Sequence, residues 1–487
     1  MYSPAPTAMD VLVVGGGPTA LVATYMLLKA GVVALAVEQY DKAAQASYGR
    51  ACMLYSRSVE LLDLIGMYAR IADIGFLVKE TITFKDGKEV PARGWSFVRD
   101  AIAGNTFFEF SFSVRQKYLE AALREAIQYI DPTALRAPAK LIDYSIDPTA
   151  PYPVLATIQE DQRTYQVRCR YLVGADGGRS TVRSICRIPF PGTNSNHRWV
   201  RMDAVVRTDM PHSRRGGVAI ESIEHGNVLW TPIDNGRTRI GFVCPQHLFG
   251  QNGESPTAEV IMAEAKKAVR PFTLDFVELD WWTVYAIGQR VAETFKDGPV
   301  LLAGDAAHTH SSGAAQLDRD IASLISGKIP SHFRAPPDAD VNSYLDEVFT
   351  TNASFTVGLG ISYTENVLNR RAGASATPAA ALLGRRAPDV ALVLPGAAFP
   401  RRLYELMPYS GRFWILQALD APDAFTRTRA PVFAFLTIPR GEGALQSAET
   451  LGEQPLGISA YDVTGDAYAK YAVMRRRVAW SSFARTA

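Results

Sequence analysis

Cysteine is scarce. Only Cys52, Cys169, Cys186 and Cys244 occur among 487 residues, without the close spacing of a metal site or the pairing of a disulfide framework. They read as reduced thiols of an intracellular protein, and the cytoplasm is the expected compartment. An excess of one charge is also missing: 51 basic residues face 49 acidic ones, a net charge of +2, so nothing suggests nucleic acid or an anionic surface as partner. The cluster Arg475-Arg476-Arg477 reads as a solvated face. Histidine numbers seven; His308 and His310 lack a third ligand at metal spacing, and no Ser/His/Asp or Cys/His order stands out. Neither a metal nor a side-chain nucleophile is therefore expected to carry chemistry. Met1-Tyr2-Ser3-Pro4 has no basic region leading into an apolar core, so no secretory leader is expected. The apolar stretch 11–37 is interrupted by Gly15-Gly16-Gly17, Pro18 and Lys29, which excludes a membrane span.

Apolar residues, 47% of the chain against 21% charged, are ample for the cores of two or three domains of a soluble globular protein. The strongest local signal is Val11-Leu12-Val13-Val14, which breaks into glycines and resumes as a helical pattern ending near Ala30-Gly31. A strand, tight turn and helix aim backbone N–H groups at a pyrophosphate from the positive end of the helix. Gly15 permits the turn, Gly17 allows close backbone approach, and Ala20 sits where helix packs on strand. A second apolar run, Val32 to Val37, ends in Glu38, close to the spacing at which a carboxylate holds a ribose. This is a βαβ dinucleotide site.

Further along, Gly49-Arg50-Ala51 precedes a helical pattern from Ser58 to Gly66, and Val114-Arg115-Gln116 opens another from Lys117 to Ile127. The stretch 81–112 reads as an excursion from the nucleotide fold. Alternation through 152–158 and 165–173 predicts an antiparallel hairpin running into Gly174-Ala175-Asp176-Gly177, with a helix from Ser180. Strand-like runs at 202–207, 217–223, 227–231 and 237–244, with one helix at 258–269, predict a second, sheet-rich domain. A buried strand then ends in Gly304-Asp305-Ala306-Ala307-His308, placing a carboxylate at the strand edge where α/β folds hold cofactors. Ala372 to Ala381 reads as a linker, and the runs 413–416 and 432–436 suit strands of a small α/β domain.

The ordered set Gly15-x-Gly17-x-x-Ala20 with Glu38, Gly49-Arg50-Ala51, Gln116, Gly174-Ala175-Asp176-Gly177 and Gly304-Asp305-Ala306-Ala307-His308 resembles the single-component FAD-dependent aromatic hydroxylases. Trp281 to Val291, containing Tyr285-Ala286-Ile287-Gly288-Gln289-Arg290, resembles their phenol 2-monooxygenase branch, and Gly384 to Asp389 resembles the entry to its thioredoxin-like C-terminal domain. The resemblance implies a mixed α/β fold: a discontinuous Rossmann-like FAD-binding domain (1–85, 112–185 and 285–370), an inserted β-sheet substrate domain (86–111 and 186–284), a linker (371–384) and an incomplete thioredoxin-like domain (385–487). By likeness the first glycine turn holds the FAD pyrophosphate and Glu38 the adenosine ribose. Arg50 and Gln116 reach the phosphate and ribityl region, Gly304 and Asp305 the ribityl or pyrophosphate oxygens, and Asp176 and Gly177 both FAD and NAD(P)H. Tyr285 falls where the family places a tyrosine near flavin and substrate. The activity implied is hydroxylation of a phenolic ring, ortho or para and in some cases decarboxylative, in aromatic degradation or secondary metabolism. NAD(P)H would reduce the flavin, and dioxygen would be captured as a C4a-hydroperoxide. The family's frequent dimers make a homodimer the expected state.

Three departures stand against the family pattern. Where relatives carry Pro-Arg-Glu, this chain has Pro232-Ile233-Asp234, and a later tyrosine is replaced around Ile240-Gly241-Phe242. Ile233 and Phe242 suggest a larger or less polar ring than phenol, alkylated or prenylated. After Gln316 the chain passes directly to Leu317-Asp318-Arg319, as though a few tens of residues were deleted from the loop that faces the flavin. Tyr471 to Trp480 also replaces the family's final segment. A degenerate or mis-spliced product, or an epoxidase or oxidase of the same fold, remains an alternative.

Overall fold

The computed structural model describes residues 8–41, 51–91, 93–222, 224–249, 255–309, 324, 327–336, 338–363, 366, 383–418, 433–438, 458–464, 466–471 and 480–483. Arg50, His310 to residue 323, the predicted linker at 372–381 and the Arg475 cluster lie outside them.

The first glycine turn joins β1 (Ala8–Val14) to α1 (Pro18–Lys29), and β2 (Ala34–Val37) follows. β1 is the middle of a parallel sheet, flanked by β2 on one side and by the strand Arg163–Gly174 on the other; Val300–Leu302 lies beyond the latter. Strands covered on both faces need apolar side chains at every position, which is why β2 reads as unbroken Ala-Leu-Ala-Val. On one side Leu21 and Tyr25 of α1 pack with Leu119, Leu123 and Ala126 of the helix Gln116–Ile130. On the other, Leu12, Leu35 and Leu172 pack against the antiparallel strands Lys140–Ile146 and Val154–Glu160. The predicted hairpin is thus Val154–Glu160 with Arg163–Gly174, turning at Asp161.

A second sheet of eight strands runs in the order His308–Thr309, Asp275–Val291, Gly192–Arg207, Thr238–Val243, Gly226–Pro232, Gly217–Ser222, Thr81–Lys85, Lys88–Glu89. Its pairs are antiparallel except Thr81–Lys85 with Gly217–Ser222. The chain therefore enters this sheet at Thr81, ahead of the limit of 85 expected from sequence, and Asp275–Val291 runs through the expected limit at 284. One face buries Val200, Met202, Trp230, Ile240 and Phe242 against Ile261, Ala265 and Ala268 of the helix Ala258–Ala268.

Near the C-terminus, Phe413–Ala418 and Phe433–Ile438 pair in parallel, with Ile458–Ser459 and Trp480–Phe483 at the edges. This part is fastened to the helix Ser56–Leu64 by two arginines. Arg386 reaches the buried carboxylate of Glu60 at 3.1 Å, and Arg402 reaches Asp63 at 2.5 Å. Beside them lies Asp389, whose Oδ1 accepts from Tyr404 N at 3.1 Å. Burial raises its carboxyl from 3.8 to about 6, against the pull of the Tyr404 N–H and the Arg402 guanidinium. A raised carboxyl favours the fold fully below its unfolded value and loses that contribution as pH climbs through about 6. Asp389→Asn is expected to remove this slope. Melting curves taken across that window should show the variant gaining on wild type as pH rises; a constant gap between them would discard the assignment.

Candidate active site

The parallel strands end in register. Val37, Val14, Gly174 and Leu302 stand side by side across the sheet, so the residues after each converge on one edge: Glu38, Gly15, Ala175-Asp176 and Gly304-Asp305. Loops at the carboxyl ends of parallel strands are where open α/β sheets bind ligands. Gly15 has φ +122°, and a Cβ there would run into the carbonyl oxygen of Ala175. Gly304, at φ +60°, lies so close to α1 that a Cβ would meet Thr19 Oγ1 at 2.6 Å. Ala20 is fully buried against Val11 and Val13. Gly17 is the N-cap of α1 and has open space beside it; no side chain caps the helix and its first turn holds no acid, so its positive end is left open to an anion.

The acids are held in place. Glu38 is buried, accepts from Tyr40 N at 2.9 Å, and packs so closely on Gly16 that a Cβ there would lie 2.7 Å from its side chain. Asp176 Oδ2 accepts from Thr181 N (2.7 Å) and Val182 N (3.2 Å), fixing the carboxylate at the start of the helix Thr181–Ile185. Its Oδ1 is buried with no hydrogen-bond partner among the described residues, as expected of an acceptor awaiting a ligand hydroxyl. Asp305 is exposed at the same edge, and Gly177 has open space beside it. Arg183 donates to Gly178 O (2.7 Å) and to Ala306 O (2.8 Å), tying the Asp176 turn to the Asp305 turn. Gln116 opens its helix as predicted, but its amide nitrogen donates to Glu120 at 2.6 Å within that helix. The cradle thus fits the ADP half of a dinucleotide: an open helix N-terminus, an acid after β2, and an orphaned carboxylate oxygen.

Tyr285 lies elsewhere, on the face of the second sheet opposite the Phe242 core. Side chains alternate across a strand, so the face opposite the Phe242 core carries Trp199, Arg201 and Asp203, with Arg239 and Gly241, and Trp281, Thr283 and Tyr285. Arg201 Nε donates to the Tyr285 hydroxyl at 3.2 Å, while Arg239 grips Asp203 at 2.6 and 2.8 Å. This face meets the segment before the helix Ser56–Leu64: the Cys52 thiol lies against Arg239, and Tyr55 joins a cluster with Trp199, Tyr285, Phe97 and Phe349. Arg201, Thr283 and Tyr285 stay partly exposed, whereas Val200 and Met202 between them are buried. We take this face, where polar side chains stay half-open beside buried aromatic ones, as the candidate substrate cleft.

Residues 8–316 match the family of FAD binding domains. The chain belongs to the FAD-dependent monooxygenases. It is 25% identical over 452 residues to phenol 2-monooxygenase fsqG of Aspergillus fumigatus, covering 84% of this chain and 75% of that one. To the 3-hydroxybenzoate 4-monooxygenase of Comamonas testosteroni it is 30% identical over 339 residues, 64% of this chain and 52% of the other. Among solved structures, aklavinone-11 hydroxylase in ternary complex with FAD and aklavinone matches with TM-score 0.64 at 19% identity, covering 97% of this chain and 93% of that one. OxyS anhydrotetracycline hydroxylase of Streptomyces rimosus matches with TM-score 0.63 at 22% identity, covering 88% and 90%. These structural matches show the fold, a mixed α/β architecture with several sheets.

For this monooxygenase, one expectation is corrected. Phe242 does not line the cleft; it belongs to the core on the other side of the sheet, and Ile233 is equally buried, so neither argues for an alkylated or prenylated ring. The sequence reasoning also missed Arg183, Arg201 and the pairing of Arg115 with Asp234. Arg115 was visible only as the residue before Gln116; nothing local announces a partner 119 residues away. One further cluster, Glu224, His225 and Glu264, has metal-like spacing, but Lys267 already sits 2.8 Å from Glu264 and His225 bonds Glu264 at 2.7 Å. The Lys267 ammonium already supplies the positive charge at Glu264. Among the described residues no helix is long and apolar enough to cross a membrane.

Proposed function

We propose that this chain hydroxylates a phenolic aromatic substrate, consuming NAD(P)H and dioxygen. The observation that carries the reading is the convergence of Gly15, Glu38, Asp176 and Asp305 on one sheet edge, in a chain whose second sheet has a face with half-open polar side chains. The open N-terminus of α1 would hold the FAD pyrophosphate, Glu38 the adenosine ribose, and Asp176 and Asp305 further hydroxyl and phosphate oxygens. Bound there, FAD supplies the redox chemistry that the side chains lack. The residues of the second sheet orient the ring, Tyr285 offers a hydroxyl within the cleft, and the packing of Phe97 on Phe349, with centroids 4.6 Å apart, closes one flank against water.

Purified protein should be yellow and should consume NAD(P)H in a phenol-dependent way, with oxygen from labelled dioxygen in the product. A preparation that takes up no FAD sinks the proposal. Asp176→Ala is expected to weaken FAD binding by about tenfold or more, because a buried carboxylate acceptor is removed; titration of flavin fluorescence measures it, and an unchanged affinity takes Asp176 out of the site. A second reading, a flavin-fold protein of weak activity, is favoured by the end of the family match at Gln316, where sequence suggests a deleted loop. In that case FAD binds while oxygen incorporation is lost.

A further inference from the structure

The segment Gly384 to Asp389, which the dinucleotide cradle leaves without a use, meets the helix Ser56–Leu64 through Arg386. That helix has little of its own to hold it: nine residues, no side-chain cap, no acid in its first turn and no base in its last. Helices shorter than about 12 residues are marginal alone, so the contacts on its faces decide where it sits. Val59 and Leu62 pack into the core shared with α1. Glu60, Asp63 and Leu64, three and four residues apart, turn to the C-terminal part instead. Arg386 Nη1 reaches Glu60 at 3.1 Å while its Nη2 donates to Asn105 O, and Arg57 and Thr106 hold the same buried carboxylate at 3.0 and 2.7 Å. Arg402 joins Asp63 to Asp389 and Glu405 and lies over the Phe108 ring. Tyr409 N donates to Leu64 O at 3.2 Å, so the final carbonyl of the helix is capped from the C-terminal part. At the other end, about 7 Å along the axis from Glu60, Tyr55 enters the cluster of Trp199 and Tyr285, and Cys52 lies against Arg239.

We propose that Arg386 and Arg402 are positioning residues: by gripping one end of the helix Ser56–Leu64 they hold Cys52 to Tyr55 against the second sheet, so that the C-terminal part keeps one wall of the cleft in place. A hydrogen-bonded helix of this length moves as one body, and release at Glu60 and Asp63 is felt at Tyr55. Glu60 is 1% exposed, so loss of Arg386 leaves its charge underpaired in a dry site and favours a helix that swings out to water. The inference rests on the aromatic-substrate reading for the use of the cleft, and adds to it the part of the chain that sets the cleft's shape.

The cysteines serve as reporters. Cys186 is half-buried, whereas Cys52, Cys169 and Cys244 are buried, the last two in the cores of the first and second sheets. The full chain, reconstituted with FAD, is treated with iodoacetamide, and the labelled positions are read by peptide mass spectrometry. In the wild type Cys186 should react first. Arg386→Gln is expected to raise the labelling rate of Cys52 by at least about tenfold while Cys169 and Cys244 keep theirs, because only the wall held by the helix opens. Arg386→Lys, which keeps a charge on Glu60 without the fork to Asn105, should restore most of the protection. Contacts that merely docked the C-terminal strands would leave Cys52 as in the wild type. Should melting show that Arg386→Gln does not fold, Asp63→Asn repeats the test, since that side chain is 24% exposed and its loss strands no buried acid. Unchanged labelling of Cys52 in a folded variant, or a joint rise of all three buried thiols, overturns the proposal. Phenol-dependent NAD(P)H oxidation is measured on the same samples. Selective exposure of Cys52 in a protein that oxidises no NAD(P)H defeats the hydroxylation reading alone, and an active protein whose Cys52 stays protected defeats this inference alone.

Discussion

Gly15→Ala is expected to yield a protein that retains no FAD. Two costs fall on the same atom. At φ +122° a residue with a Cβ is strained by about 1–3 kcal/mol, and the added carbon points at the carbonyl oxygen of Ala175. Neither neighbour can yield. Gly15 N donates to Val37 O at 2.8 Å, and Ala175 N donates to Val14 O at 2.8 Å, so both turns are pinned to the ends of their strands. Relief must therefore come from pushing apart the glycine turn and the Asp176 turn, the two parts of the cradle that have to close on one ligand. The expected result is loss of bound flavin together with a lowered melting temperature. Gly17→Ala makes the control: Gly17 has extended backbone and open space beside it, so its variant should fold normally and lose affinity only through crowding of the ligand. Flavin-to-protein ratios after reconstitution decide the matter; a Gly15→Ala protein that is as yellow as wild type contradicts the assignment of the cradle.

The second large effect is expected at the seam between the two sheets. Arg115, just before the helix Gln116–Ile130, and Asp234, in the turn of the second sheet, have side chains 4% and 0% exposed and lie 2.7 Å apart. The arginine also donates to Asp234 through Nε at 2.8 Å and to Asp280, and its backbone N–H donates to Asp234 Oδ1 at 2.9 Å. A buried pair of this kind contributes little net stability over apolar replacements, yet removing one partner leaves the other charged in a dry site. Arg115→Met is therefore expected to cost about 3–5 kcal/mol, read as a shift of the denaturation midpoint. Adding Asp234→Asn should recover part of that loss, since the stranded charge disappears while an acceptor for the Arg115 N–H is kept. If the double variant is as weak as the sum of the singles, the pair does not act as a unit. The same contact fixes the second sheet against the helix that packs on α1, so FAD affinity and substrate affinity should fall together in the single variant.

Much of the cradle was legible in the sequence. β1, the glycine turn, α1, Glu38, the Asp176 turn and the Asp305 turn each lie within a window of about ten residues, where backbone preference and apolar periodicity speak directly. The hairpin before Asp176 and the strands of the second sheet were found for the same reason. Which side of a strand a residue takes was less legible. Phe242 read as a ring-facing residue because its place in a substrate-domain strand was clear, but a shift of one position moves a side chain to the opposite face. Only the pairing of Val200 with Phe242 and Arg201 with Gly241 assigns Phe242 to the core and Arg201 to the cleft.

By itself, then, the sequence determined the dinucleotide architecture, the order of its motifs and the membership in the FAD-dependent monooxygenases. The tertiary structure decided how those motifs meet: that Val37, Val14, Gly174 and Leu302 end in one row, that Arg183 ties two of the turns, and that Arg115 is neutralised by Asp234. The division has a physical cause. Turns, helix starts and strand periodicity are set by dihedral preferences of neighbouring residues, whereas a buried ion pair exists only after distant segments have been brought into register.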